Sequence, residues 1–176
     1  MAAGSGSNMA PTGDVVEMSA LAEVRYRSDQ MENPGHLHSI DDVDALIDAL
    51  LNGPANQNMA QLTHLARKRV KPKISGYDFP SVPDHDFQVG VNRELQVGVV
   101  LFIDHSGNFV SAGPPDSRES PEYYLAGHWT QFRDQTEISI DLVRQAVREF
   151  LVTGGQRPAC IAWKNQYVAD DSDLTA

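Results

Sequence analysis

Hydrophobic and polar positions change period several times along this chain, and each change marks an element. Residues 21–27 alternate, with Val24 and Tyr26 on one side and Glu23, Arg25 and Arg27 on the other, which is the two-residue period of a half-buried strand. Asn33-Pro34-Gly35 reads as a turn. The period then lengthens. Ile40, Val43, Leu46, Ile47, Leu50 and Leu51 share one face at helical spacing. Ser39 and Asp42 open that helix as a shortened capping box, and Asn52-Gly53-Pro54 closes it. A polar loop is expected over residues 55–61, then a strand over 62–70 carrying the basic run Arg67-Lys68-Arg69. Residues 71–85 read as irregular, broken by Pro72, Pro80 and Pro83.

Two antiparallel strands follow over residues 87–91 and 95–104, the second apolar enough for a central position. Gly98 inside it predicts a bulge or a close backbone approach. His105-Ser106-Gly107-Asn108 is a hairpin loop leading to a strand over 109–112. An aromatic strand is expected over 123–129 and a helix over 140–151. Ile140, Val143, Val147, Phe150 and Leu151 form its buried stripe, Asp141 and Arg144 are able to pair along it, and Gly154 terminates it. A last strand is expected over 158–163, with Cys160 an inert buried thiol and Trp163 in the core with its N–H on an acceptor. Strands segregated from helices predict an α+β fold: one antiparallel β-sheet with two main helices packed on one side, in a single domain. Residues 1–19 read as a flexible leader, 20–166 as the domain and 167–176 as an acidic disordered tail.

Charge changes the picture more than length does. The formal net charge of −10 disfavours nucleic acid as a partner and favours a basic protein. Five basic residues lie between residues 61 and 80 against one acid, Asp78, so this segment carries +4 and the rest −14. The plain reading of that run is an edge strand guarded by Lys and Arg. One cysteine allows no intramolecular disulfide, no apolar run spans a membrane, and residues 1–8 lack the features of a signal peptide. A cytoplasmic protein is the expectation, with no membrane partner.

Candidate chemistry is sparse. Asp104-His105-Ser106 has the residue types of a catalytic triad, but consecutive side chains at a hairpin tip diverge. His36-x-His38 and Asp84-His85-Asp86 each lack a third ligand at a diagnostic spacing, so neither a metal nor a cofactor is expected. A zinc deaminase needs H-x-E and P-C-x-x-C, and Pro158-Ala159-Cys160 supplies one cysteine only. No enzyme is expected.

Two other clusters suit binding. Asp41, Asp44 and Asp48 form an acidic stripe at i, i+3 and i+7, and the first helix has no cation to offset it. Tyr123, Tyr124, Trp129 and Phe132 concentrate aromatic area, and whichever tyrosine faces outward is a candidate anchor.

The blocks Val143-Arg144-Gln145-Ala146-Val147-Arg148-Glu149-Phe150-Leu151, Thr153-Gly154-Gly155, Arg157-Pro158 and Trp163 occur in an order that resembles the first-numbered immunity-protein family of bacterial polymorphic toxin systems, common in actinobacteria. Tyr123-Tyr124-Leu125-Ala126-Gly127-His128 resembles the aromatic strand that precedes this helix in the family, and residues 41–51 its early acidic helix. The resemblance covers residues 21–163. It departs at Phe132-Arg133, where many relatives have Phe-Pro, and in a longer leader and a longer segment 75–86, where partner choice is expected to be set. It implies a non-catalytic protein that binds a cognate deaminase-type toxin and occludes its active site. The alternative is an interaction module of an actinobacterial regulatory complex. Charge and aromatic placement, not the family, select the partner-binding candidates: Asp41, Asp44, Asp48, Asp104, Asp116, Glu119, Glu122, Tyr123, Tyr124 and Trp129.

Overall fold

In a computed structural model describing residues 19–167, the chain begins with β1 (Ala22–Arg25), β2 (Gly35–Leu37), α1 (Asp42–Asn52) and β3 (Met59–His64). Four two-residue strands follow, β4 (Arg69–Val70), β5 (Lys73–Ile74), β6 (Tyr77–Asp78) and β7 (Val82–Pro83). Then come β8 (His85–Asn92), β9 (Val97–Asp104), β10 (Gly107–Ser111), β11 (Glu122–Leu125), β12 (His128–Gln131), β13 (Ile138–Ser139), α2 (Ile140–Val152) and β14 (Trp163–Asn165). The leader and tail predicted from sequence lie outside the described residues, apart from Ser19 and Tyr167.

The main sheet has the order β14-β10-β9-β8-β3-β1-β2, with β13 pairing on β9 beyond β10, and every pairing is antiparallel. The interior strand β9 reads as a continuous apolar run because both of its faces are covered. Val100 and Phe102 point to one core, Val99 and Leu101 to the other. The larger core lies under the helices. Val43, Ile47 and Leu50 of α1 and Val143, Val147 and Phe150 of α2 pack on Phe87, Val89 and Phe102, and the Phe87 and Phe150 rings stack at 4.1 Å. The expected α+β architecture, with both helices on one side of an antiparallel sheet, is what forms. The opposite face is covered in part by the β11–β12 hairpin, with Tyr123 and Phe132 on Met59, Val99 and Val110.

Several local expectations need correction. The strand placed at 62–70 is β3, shifted toward the N-terminus, because Ala60 and Leu62 bury on the helix side and Met59 on the other. The chain leaves the sheet at the exposed Leu65. Residues 65–84 form a projecting arm in which β4 pairs β7 and β5 pairs β6, so the basic run is not an edge strand of the main sheet. The aromatic strand over 123–129 is a hairpin, because Ala126 and Gly127 both take positive φ (49° and 86°), the backbone of a tight two-residue turn. The last strand starts at Trp163. Residues 158–162 are irregular and are held by Glu149, whose carboxylate accepts from the Ala159 and Cys160 N–H groups at 2.8 and 3.0 Å. Trp163 Nε1 donates to Pro158 O at 2.7 Å.

Ile40 precedes α1 and is exposed, so it does not belong to the buried stripe. Half of the predicted capping box forms: the Asp42 carboxylate accepts from the His38 and Ser39 N–H groups at 2.7 and 2.9 Å, which holds Asp42 below the usual carboxylate range. At Gly98 the close approach is the operative alternative. The β8–β9 register is continuous, and a Cβ there would stand 2.3 Å from Gly90 O. Burial, then the Glu149 carboxylate, pushes the half-buried Cys160 thiol up to about 12, so it stays protonated at neutral pH.

Candidate binding surface

Alternation along the β11–β12 hairpin sorts its side chains into two faces. The register Tyr123↔Thr130 and Leu125↔His128 sets one face, and Glu122↔Gln131 and Tyr124↔Trp129 set the other. Tyr123 faces the sheet and is fully buried, its ring packed over Gly90, where a Cβ would stand 2.6 Å from Tyr123 Cδ1. Tyr124 and Trp129 are therefore cross-strand neighbours on the outer face, where Trp129 is 55% exposed. The expectation that one tyrosine faces outward is resolved in favour of Tyr124. Tyr123 is removed from the partner-binding candidates.

What holds this hairpin is polar and mostly distant in sequence. The Tyr124 N–H donates to Asn58 Oδ1 at 2.8 Å and the Gly127 N–H to Asn56 O at 2.9 Å. The Tyr123 hydroxyl donates to Glu137 Oε1 at 2.5 Å. Arg118 donates to the same carboxylate through Nε (2.9 Å) and Nη2 (2.6 Å). Glu137 is 2% exposed, so it is a buried carboxylate satisfied by a bidentate guanidinium and a phenol. Burial, followed by Glu137, pushes the Tyr123 phenol above its ordinary value, and the Glu137 hydrogen bond raises Arg118. Arg118 thereby ties the loop over residues 113–120 to the hairpin. Ser120 N–H to Asp134 Oδ1 (2.6 Å) and Gly113 N–H to Gln135 O (2.8 Å) add further ties.

Asp116 and Glu119 sit on that loop and Glu122 at the open end of the hairpin. All three are exposed and in no ion pair among the described residues. Of the candidates, Glu122, Tyr124 and Trp129 share the outer hairpin face, while Asp116 and Glu119 lie on the loop that Arg118 ties to the hairpin.

The helical stripe is different. Arg144 donates to Asp44 Oδ1 (2.9 Å) and Asp48 Oδ1 (2.5 Å), and Arg148 donates to Asp44 Oδ2 (2.6 Å). The offsetting cations absent from α1 lie on α2. The charge of Asp44 and Asp48 is spent within the molecule, and Arg144 pairs across the helices rather than with Asp141. Asp41 remains exposed beside the start of α1.

Asp104 is also internal. It accepts from the Ser106 N–H (2.8 Å) and hydroxyl (2.5 Å) and lies 3.7 Å from Arg67. Arg67 Nε donates to Asp84 at 2.8 Å and its Nη1 to Gly155 O at 3.0 Å. Beside this network His85 contacts Asp84 through Nδ1 at 3.1 Å, while its Nε2 accepts the His64 N–H at 3.0 Å. That lone pair is occupied, so the Asp84–His85 dyad offers no base to a substrate. Among the described residues no three His, Cys, Asp or Glu side chains gather as a metal site. None of the described helices is long and apolar enough to cross a membrane.

Nothing in the sequence alone marks Glu137, Arg118 or Asn58. Their partners lie 14, 19 and 66 residues away, and no local period marks them.

A family model described as immunity protein Imm1 matches residues 31–165. No curated protein matches the chain.

Proposed function

The chain belongs to the Imm1 immunity-protein family, and from that premise we propose that it binds a cognate toxin of the nucleic-acid deaminase type in the producing cell's cytoplasm and occludes its active site. It acts by binding, without chemistry of its own. The observation that carries this reading is the outer hairpin face, where Tyr124 and Trp129 lie with the unspent Glu122, while Asp116 and Glu119 stand exposed on the loop tethered to the hairpin. A cleft that grips single-stranded nucleic acid presents cations to phosphates and stacking surfaces to bases. An aromatic pair accompanied by exposed carboxylates offers the same two chemistries from a protein. The excess negative charge adds steering toward a cationic cleft.

The test is co-expression with the toxin domain encoded beside this chain. Wild type is expected to restore growth and to co-purify with the toxin, and Trp129→Ala with Tyr124→Ala to do neither. Rescue by the double variant at wild-type strength removes the hairpin face from the mechanism. A toxin that still turns over its substrate when saturated with wild-type chain removes occlusion.

A further inference from the structure

The projecting arm over residues 65–84 is chemically unlike the rest of the molecule. Of the thirteen large apolar residues exposed in the described chain, six lie here: Leu65, Val70, Ile74, Tyr77, Phe79 and Val82. Tyr77 is 74% exposed and Ile74, its cross-strand partner, 55%. An exposed apolar concentration of this kind is unusual on a soluble monomer and marks an interaction site. The arm also holds five of the fourteen cations of the chain. Lys68, Arg69 and Lys73 have no carboxylate partner among the described residues. Lys71 pairs only with the exposed Asp78, at 2.9 Å. Counting Asp78 and Asp84, residues 65–84 carry 5 − 2 = +3 within a −10 chain.

At its base the arm is anchored firmly. Arg67 bonds Asp84 and Gly155 O, and the Asp84 N–H donates to Lys68 O at 3.2 Å. A cavity of about 460 Å³ opens there against Ile103 and Asp86, on the sheet face shared with the hairpin. Asn56 and Asn58, which pin the hairpin, lie just before β3, and the arm departs from its end. The acidic–aromatic hairpin and the basic–apolar arm therefore stand at opposite ends of one sheet face.

We propose that the arm is a second docking element, one that fits an acidic, apolar patch on the same toxin, outside the cationic cleft that takes the hairpin. This rests on the toxin-binding reading above. A carboxylate-bearing protein surface suits unspent lysines beside Ile74 and Tyr77. Nucleic acid suits the arm less, because the chain as a whole repels phosphate and four of the six exposed apolar residues here, Leu65, Val70, Ile74 and Val82, are aliphatic and do not stack on bases. The toxin surface that this chain fits is then bipolar, and a toxin with a basic cleft but no acidic neighbour is rejected.

The experiment measures affinity and salt dependence of the purified full chain for the toxin domain encoded beside it. Lys68→Glu with Lys73→Glu is expected to weaken binding about tenfold or more, and so is Tyr77→Ala, whereas Lys68→Arg with Lys73→Arg retains it. Unchanged circular dichroism and urea midpoint show that the fold is kept, since all three positions are exposed and outside both cores. Arm variants that bind as wild type, while Trp129→Ala loses affinity, overturn the arm and leave the function standing. A wild-type chain that binds no toxin removes both. Binding of a single-stranded oligonucleotide that the glutamate variant loses, with toxin affinity intact, assigns the arm to nucleic acid instead.

Discussion

The guanidinium of Arg144 on α2 stands 2.5 Å from the carboxylate of Asp48 on α1. With Arg148 and Asp44 it forms a ladder across the helix contact, so an acidic stripe that looks free on one helix is a clasp between two. Replacing Asp44 and Asp48 with Asn is expected to cost about 1 kcal/mol of stability, because both carboxylates are more than half exposed and screened. Association with the toxin should be unchanged. Urea unfolding reads the first and stopped-flow mixing the second. A large drop in association rate would return the stripe to the interface.

Gly90 is where β8 yields to the Tyr123 ring. Gly90→Ala places a methyl 2.6 Å from Cδ1 and 3.1 Å from Val99 Cγ1. The ring is fully buried and its hydroxyl is held by Glu137, so it cannot swing away cheaply. A loss of about 1–3 kcal/mol is expected from overpacking. Because the same ring seats the hairpin, toxin affinity should fall with stability. A variant as stable as wild type would show that the hairpin sits on the sheet more loosely than its hydrogen bonds indicate.

Acid should loosen the base of the arm. Burial holds His85 below the ordinary histidine range, with Asp84 opposing, and Arg67 and His64 adding to the depression. A base depressed in the folded state contributes stability that is fully present above its unfolded value, near 6.5, and is lost as pH falls below that value. The loss approaches about 1.4 kcal/mol per pH unit until the folded histidine also protonates. Protonation also removes the acceptor for the His64 N–H. Urea midpoints between pH 7.5 and 5 should fall for wild type and flatten for His85→Gln. Parallel pH profiles for the two chains would dismiss His85 as the source.

Much of the fold was readable because it is written in local periods. The helical stripe of α2, the run of β9 and the Gly154 stop each needed only a window of residues. The blocks that carry the family resemblance belong to this readable part: α2, its glycine exit (φ 71° at Gly154), Arg157 over the Phe109 ring at 3.8 Å, and the Trp163 clasp. They fix the scaffold. Tyr123 and Tyr124 are adjacent in sequence, and only the register with Thr130 and Trp129 decides which is core. The pairing of Arg144 with Asp44, 100 residues away, has no local signature at all. Nor does the arm, whose short ladders are too brief and too proline-rich to show alternation.

The outer aromatic pair and the exposed acids of the hairpin and its tethered loop should separate kinetically. Trp129 is exposed, cross-strand from Tyr124, on a hairpin fixed at both ends, which is how a rigid anchor presents area at low entropic cost. Trp129→Ala is expected to cost about 2 kcal/mol or more of toxin affinity, roughly 30-fold, almost entirely as faster dissociation. The acids act at a distance. Asp116→Asn, Glu119→Gln and Glu122→Gln together remove exposed charge without touching either core, so they should slow association and flatten its dependence on salt, with dissociation little changed. Surface plasmon resonance at low and high ionic strength reads both constants for each variant. If the triple variant instead dissociates faster at every salt concentration, these carboxylates make direct contacts that are buried in the complex. If neither variant moves either constant, the toxin docks elsewhere.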